Sequence, residues 1–361
     1  MKKNITEYFG KAASLLLCCG LAVTMLTSCG ERTLEMNTSG VTSSKVTHQG
    51  VIEYYGGYYI TDKFGINYKS NIDNKDMVIV AHTSKENGEV QKNFAIDDKY
   101  IYFISAYKDS SKILYRGTMD GKKRTKIYVR DEINIIACYK NKIYFTDERN
   151  MIICIDAATK EKLEINAAVG KDFVQYNNCI FFTDSNKKLA VYNCDDNAVI
   201  PVTENNAAGY SATDNGTAIA ENISGDKKST KYQFSFFTYS NAEIKSMAAV
   251  ETAAKYTVFS NSLAFANEKT SLKTCGLNNG EEKEYSYKKQ GKLIYNTGLD
   301  NNVYYLNENT CLKFEPTAET PNELTVDFKK NKIDYNNVIA IVNDTKAITL
   351  ENGYYEVVNI N

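Results

Sequence analysis

A short aromatic strand recurs along the chain: Ile101–Ser105 reads IYFIS, Ile143–Asp147 reads IYFTD and Ile180–Asp184 reads IFFTD. An earlier copy, YYITD, occupies Tyr58–Asp62. Weaker ones follow as AIAEN (Ala218–Asn222), LAFAN (Leu263–Asn267), VYYLN (Val303–Asn307) and AITLE (Ala347–Glu351). Successive copies stand roughly 40 residues apart, the period of a supersecondary unit that stacks on copies of itself. Such a unit cannot bury its apolar surface alone, so the chain must fold as an array or ring of units.

Residues 91–130 spell the unit most fully. Phe94–Ile96 reads as a short strand, Asp97–Lys99 as a turn and Tyr100–Ser105 as a second strand. A polar loop follows at Tyr107–Ser111, then a third strand at Lys112–Arg116, a tight turn at Met119–Gly121 and a fourth strand at Arg124–Val129. The pattern repeats through Ile133–Ile165 and Asp172–Val202, and Tyr232–Tyr239, Leu272–Leu277 and Leu312–Phe314 stand at third-strand positions further on. No window beyond the N-terminal segment carries an i, i+3, i+4 apolar stripe. The expectation is an all-β chain forming a β-propeller of four-stranded blades. Eight copies of the second strand favour eight blades; seven is the alternative count, because residues 50–85 carry the repeat least clearly. The last unit, Val338–Asn361, supplies only three strands, so Val41–His48 is the expected closing strand that completes it.

The first residues are a separate object. Lys2, Lys3 and Lys11 flank the apolar stretch Ala12–Met25, which is short for a membrane span and reads as a signal peptide over residues 1–28. It ends in Leu26-Thr27-Ser28-Cys29, which resembles the bacterial lipobox. That resemblance implies lipid attachment at Cys29, two acyl chains on its sulfur and an exported domain held to the cell membrane, outside the cytoplasm. Residues 29–48 then form a tether rich in Thr, Ser and Gly, and residues 49–361 the propeller. A net charge of −1 offers no basic field for a phosphate backbone, so nucleic acid is not an expected partner.

The run Ile143-Tyr144-Phe145-Thr146-Asp147 with Met151–Asp156 is similar to the YWTD repeat of low-density-lipoprotein-receptor-type propellers. It is closer to the bacterial lipoprotein version of that repeat, a domain-of-unknown-function family, which the run Leu114-Tyr115-Arg116, Asp120-Gly121 and Arg124-Thr125-Lys126 also resembles. Phenylalanine replaces the family's tryptophan throughout; the chain has no Trp but 27 Tyr. The resemblance implies a propeller that binds or organises something and carries over no catalytic residue.

Residues able to do chemistry are sparse. Only two histidines occur, His48 and His82, with no metal-ligand spacing, so no metal site is expected. No nucleophile elbow, P-loop, dinucleotide fingerprint or EF-hand loop is present, and no cofactor is implied. Asp62, Asp147 and Asp184 end second strands at equivalent positions. Their recurrence suggests a structural job, such as accepting backbone N–H bonds between blades, because a catalyst needs unique residues. Asn71–Asp76 and Asp195–Asn197 are oxygen-rich clusters that turn chemistry explains as well as calcium does. Pairing Phe182 with Val191 across the hairpin puts Cys179 opposite Cys194, within reach of a disulfide in the closer type of pair; the alternative is two small apolar fillers.

Propellers bind through loops at one rim of the channel. Tyr107, Glu148, Arg149 and Lys187 lie in the turns between second and third strands and are the candidate binding residues on loop geometry. The function expected is a lipid-anchored, non-enzymatic binding or scaffold domain for an envelope protein or glycan. The alternative is an envelope polysaccharide lyase or hydrolase with a pair of carboxylates in the channel.

Overall fold

The computed structural model describes residues 45–47, 49–73, 75–170, 173–213, 216–225, 229–239 and 242–361. The signal segment, Cys29, most of the tether and His48 lie outside the described residues. What is described is strand and turn, with one short 3-10 turn at Tyr335–Asn337.

Eight sheets follow one another in chain order, each an antiparallel meander. Blade 1 comprises Val51–Tyr54, Gly57–Asp62, Gly65–Lys69 and Val78–His82. Blades 2, 3 and 4 begin at Glu89–Ile96, Asn134–Tyr139 and Phe173–Tyr176; blades 5, 6 and 7 begin at Asn206–Thr213, Thr257–Val258 and Lys292–Tyr295. Blade 8 holds Val338–Asn343, Lys346–Glu351 and Tyr354–Asn359. The expected eight-blade propeller is therefore formed, with the weakly marked segment at residues 50–85 as a full blade.

The recurring aromatic strand is the second strand of every blade, and its composition follows from its place. Cys179–Thr183 is buried at every position, whereas the fourth strand Lys162–Ala168 of blade 3 is largely exposed. Side chains alternate across a strand, so a strand covered by a neighbouring blade on each face needs an unbroken apolar run rather than alternation. Tyr102 and Ile104 enter the layer between blades 2 and 3, while Ile101 and Phe103 enter the layer between blades 1 and 2. Ile143 and Phe145 of blade 3 meet the former layer, and Tyr144 turns to the layer shared with blade 4. This alternation continues around the ring to Ala347 and Ile348 of blade 8, which face blades 7 and 1 respectively. Each large side chain so buried contributes about 1.5–3 kcal/mol of transfer free energy.

Closure departs from expectation. The strand Lys45–Thr47 does not complete blade 8. It pairs antiparallel with Phe94–Ile96, the first strand of blade 2, and makes that sheet five-stranded with the extra strand toward the axis. Among the described residues, blade 8 holds three strands. The ring closes by side-chain packing of Val51, Ile60 and Ile72 on Ala340 and Ile348, and by the Lys63 N–H donating to Gly353 O. A sequence reading sees that a strand precedes the first blade; which edge it joins depends on the tertiary environment of both edges.

Candidate functional site

The first strands of the blades face the channel, and the N-terminal strand lies among them. Lys45 Nζ donates to Glu53 O at 2.8 Å, and the Gln49 side-chain amide reaches Tyr295 O in blade 7. Two cavities flank this arrangement, sharing Phe173, Val174, Phe259, Tyr295 and Thr297 as walls. One, of about 410 Å³, opens among the turns that follow the first strands, including Tyr176-Asn177, Thr213 and Gly298–Asn301. The other, of about 620 Å³, opens where first strands begin, at Asn93, Asn134, Ala207–Gly209 and Leu293.

Both cavities are lined by amides, hydroxyls and aromatic rings, with little charge. Lys45 is the cation of the smaller one; burial pushes its pKa down, partly opposed by Glu53. Asp300 is that cavity's carboxylate, and its oxygens are occupied: Oδ1 accepts from Asn296 Nδ2 and Asn302 N, Oδ2 from Asn302 Nδ2 and Tyr304 Oη. The larger cavity has no carboxylate among its lining residues. Burial raises the phenol pKa of Tyr295, partly offset by a bond with Ser211, so at neutral pH it serves as a hydrogen-bonding ring rather than an ion. Asn177 Nδ2, on the smaller cavity's wall, is buried without a hydrogen-bond partner, an unmet donor where one is costly. Such a surface can hold uncharged polar groups by hydrogen bonds and stacking. Among the described lining residues Asp300 stands without a second carboxylate of the kind that glycoside hydrolysis pairs.

The four loop residues lie on the corresponding turns of blades 2, 3 and 4, and the structure gives them local partners. Tyr107 Oη and Tyr115 Oη are 2.9 Å apart. Arg149 Nε and Nη2 donate to Asp147 Oδ2 at 3.0 and 2.7 Å, and Glu164 lies 4.0 Å from the guanidinium. Lys187, at φ 61°, bonds through its backbone to Asp184 and Ala207. Glu148 stays exposed beside Arg149.

The repeat acids are structural, though within their own turns rather than between blades. Asp147 Oδ1 accepts from the backbone N–H of Arg149 and Met151, Asp184 Oδ1 from those of Asn186 and Lys188, and Asp62 Oδ1 from that of Phe64. A carboxylate that bonds its own backbone two to four residues on is an ordinary way to fix a turn. The oxygen-rich clusters instead join blades: Asp195 of blade 4 accepts from Tyr139 and Lys140 of blade 3 as well as from Asn178, and Asp73 of blade 1 pairs with Lys346 of blade 8. His82 is an exposed strand end.

The cysteine pair is not a facing pair. Phe182 lies opposite Ala190 rather than Val191, so Cys179 meets Asn193 and Cys194 falls one residue further on. A one-residue slip moves a side chain to the other face. Cys179 packs toward blade 5 and Cys194 toward blade 3, so the two are not joined, and all six cysteines of the described residues are buried. The channel cavities, absent from the sequence reading, could have been sought in the less apolar first strands, such as Phe173–Tyr176, which is half-buried throughout.

No family model matches the chain. No curated protein matches it either. Among solved structures, the computationally designed Ika8 protein aligns with a TM-score of 0.53 at 10% identity, over 91% of this chain and 100% of that one. BamB from Moraxella catarrhalis aligns with a TM-score of 0.49 at 9% identity, over 88% of this chain and 98% of that one. PorZ, a surface component of the type-IX secretion system of Porphyromonas gingivalis, aligns with a TM-score of 0.41 at 8% identity, over 73% of this chain and 37% of that one. At these identities the likeness to Ika8 speaks for the propeller fold alone.

Proposed function

We propose that this chain is a lipid-anchored, extracytoplasmic propeller that binds a protein partner and does no chemistry on it. The observation carrying this reading is the fate of its acids. Asp62, Asp147 and Asp184 are spent on turn backbones, and Asp300 is held by four donors. Among the described residues, the channel mouths offer amide, hydroxyl and aromatic surface with Lys45 as the cation. The lipobox-like Leu26–Cys29 and the YWTD-like repeat, in its bacterial lipoprotein form, support attachment at the envelope. A neutral glycan suits the same cavities, whose rings and unmet Asn177 amide are the kind of wall that sugar hydroxyls meet.

The anchoring half is tested by feeding cells an alkynyl fatty acid and recovering the protein. Label on the natural chain that disappears in Cys29→Ser, together with release from the membrane fraction, is the expected result; an unlabelled natural chain would remove the anchor. The binding half is tested by titrating the purified propeller with envelope polysaccharide fragments and watching for new reducing ends or unsaturated products. Turnover there would contradict the non-catalytic reading.

A further inference from the structure

In the other blades a fourth strand covers the outer side of the third; among the described residues, blade 8 leaves that side of its third strand open. Its last strand, Tyr354–Asn359, pairs on one side with Lys346–Glu351, and no fourth strand lies on the other among the described residues. The register tells which backbone groups face out. Ile360 N donates to Thr345 O, so the pairs Ala347–Val358, Thr349–Glu356 and Glu351–Tyr354 are the mutually hydrogen-bonded ones. The tight turn at Asn352-Gly353, with φ of 49° and 82°, fits a hairpin closed by that last pair. The N–H and C=O groups of Tyr355, Val357 and Asn359 therefore point to the open side.

Beside this edge lies a groove of about 540 Å³ between blade 8 and blade 1. Tyr355 and Val357 form one wall and Phe64, Ile72 and Met77 the other, and Phe64, Met77 and Tyr354 are unusually exposed for their size at 41%, 46% and 45%. Lys69 also lines it, as do Lys75, Lys346, Asp62, Asp73 and Glu356. The Lys69 ammonium is half-buried and donates to Ile72 O at 3.4 Å, with no carboxylate within ion-pair distance among the described residues.

We propose that the open edge of blade 8 takes an extended segment of a partner protein as its fourth strand, with apolar residues at alternate positions and an acidic side chain reaching Lys69. The unpaired main-chain groups ask for a backbone in the extended conformation, which a sugar or a helix does not supply. The apolar wall asks for every second side chain to be apolar, because side chains alternate across the added strand. Lys69 supplies a half-desolvated positive charge for the acid to meet. The proposal rests on the reading of the chain as a protein-binding propeller and names the surface and the kind of partner.

The test uses short random peptides displayed on phage and selected against the full propeller, followed by amide exchange of the propeller with the recovered peptides. The expected result is protection of the Tyr355, Val357 and Asn359 amides by peptides with alternating apolar residues. Affinity should fall roughly tenfold or more in Asn359→Pro, and again in Lys69→Glu. Asn359→Pro deletes an outward donor and leaves the inner ladder intact, so unchanged thermal unfolding shows that the fold persists. Peptides that bind only at the channel mouths would overturn the edge proposal while keeping the protein-binding reading. Recovery of no peptide would overturn both. Protection of the same three amides in the free protein, with a mass twice that of one chain, would assign the edge to a second copy and overturn the partner.

Discussion

Between blades 2 and 3 the layer is filled by Tyr102, Ile104, Leu114, Ile143, Phe145 and Ile153, all essentially inaccessible. Between blades 8 and 1 the fully buried set is Val51, Ile60, Ile72, Ala340 and Ile348, with no aromatic ring among them. Rings and cations gather instead at the rim of that seam: Lys63 Nζ sits 3.4 Å from the Tyr354 ring centre, Phe64 lies edge-on to Tyr354, and Lys346 pairs with Asp73. The two junctions hold equivalent places in the ring, one by a deep apolar layer and the other by a thin layer under a polar stitch. A ring without a shared closing strand depends on its weakest layer, and the seam is where opening and docking have least burial to oppose them.

The largest expected effect is on the deep layer. Phe145→Ala should cost about 3–5 kcal/mol in chemical denaturation, because a fully buried ring is lost and tightly packed neighbours cannot collapse into the space. Ile348→Ala at the seam should cost about 2 kcal/mol, the low end for such truncations, because the thin layer can relax. Equal losses at the two sites would break the comparison.

A smaller effect belongs to the turn acids. Burial alone would raise the pKa of Asp147, but donation from Arg149 and from the backbone N–H groups of Met151 and Arg149 outweighs it and holds the carboxyl below its ordinary value. The folded-state pKa is thus depressed. The stability it contributes is complete above the ordinary carboxylate range and is lost as pH falls through the lower folded value. Asp147→Asn should lower stability at neutral pH and flatten its decline in acid, which urea unfolding across pH measures. Asp147→Ala should cost about 1.5 kcal/mol, the low end for bonds to a charged group. The smallest effect is at the rim: Lys63→Ala should remove about 0.5–1 kcal/mol, the worth of an exposed cation–ring contact. A larger loss would mean that the seam is carried by its stitch rather than by its core.

The ring was legible in the sequence because the second strand is buried on both faces; runs such as Ile180–Thr183 have no polar alternation to blur them. Blade number followed from counting those runs, even where Ala220 and Ala264 replace aromatics. What was not legible depends on single residues of register or on contacts far along the chain. The Cys179–Cys194 expectation failed because the hairpin turn is one residue shorter than the pairing assumed. The closing-strand expectation failed because the edge of blade 2 at Phe94–Ile96 accepts Lys45–Thr47, and nothing local to those three residues marks that edge over blade 8. The repeat acids were recognised as structural from recurrence, while their partners, the N–H groups of their own turns, needed coordinates.

Native-state amide exchange resolved by residue tests the central claim most directly, namely that, among the described residues, the blade 8–blade 1 seam is closed chiefly by side chains and without a shared strand. The account predicts that amides of Lys346–Glu351 exchange through a partial opening well below the free energy of global unfolding, and that the outward amides of Tyr355, Val357 and Asn359 are nearly unprotected, while those of Lys142–Thr146 exchange only when the whole ring unfolds. Equal protection of Lys346–Glu351 and Lys142–Thr146, with Tyr355, Val357 and Asn359 protected in the free protein, would contradict it.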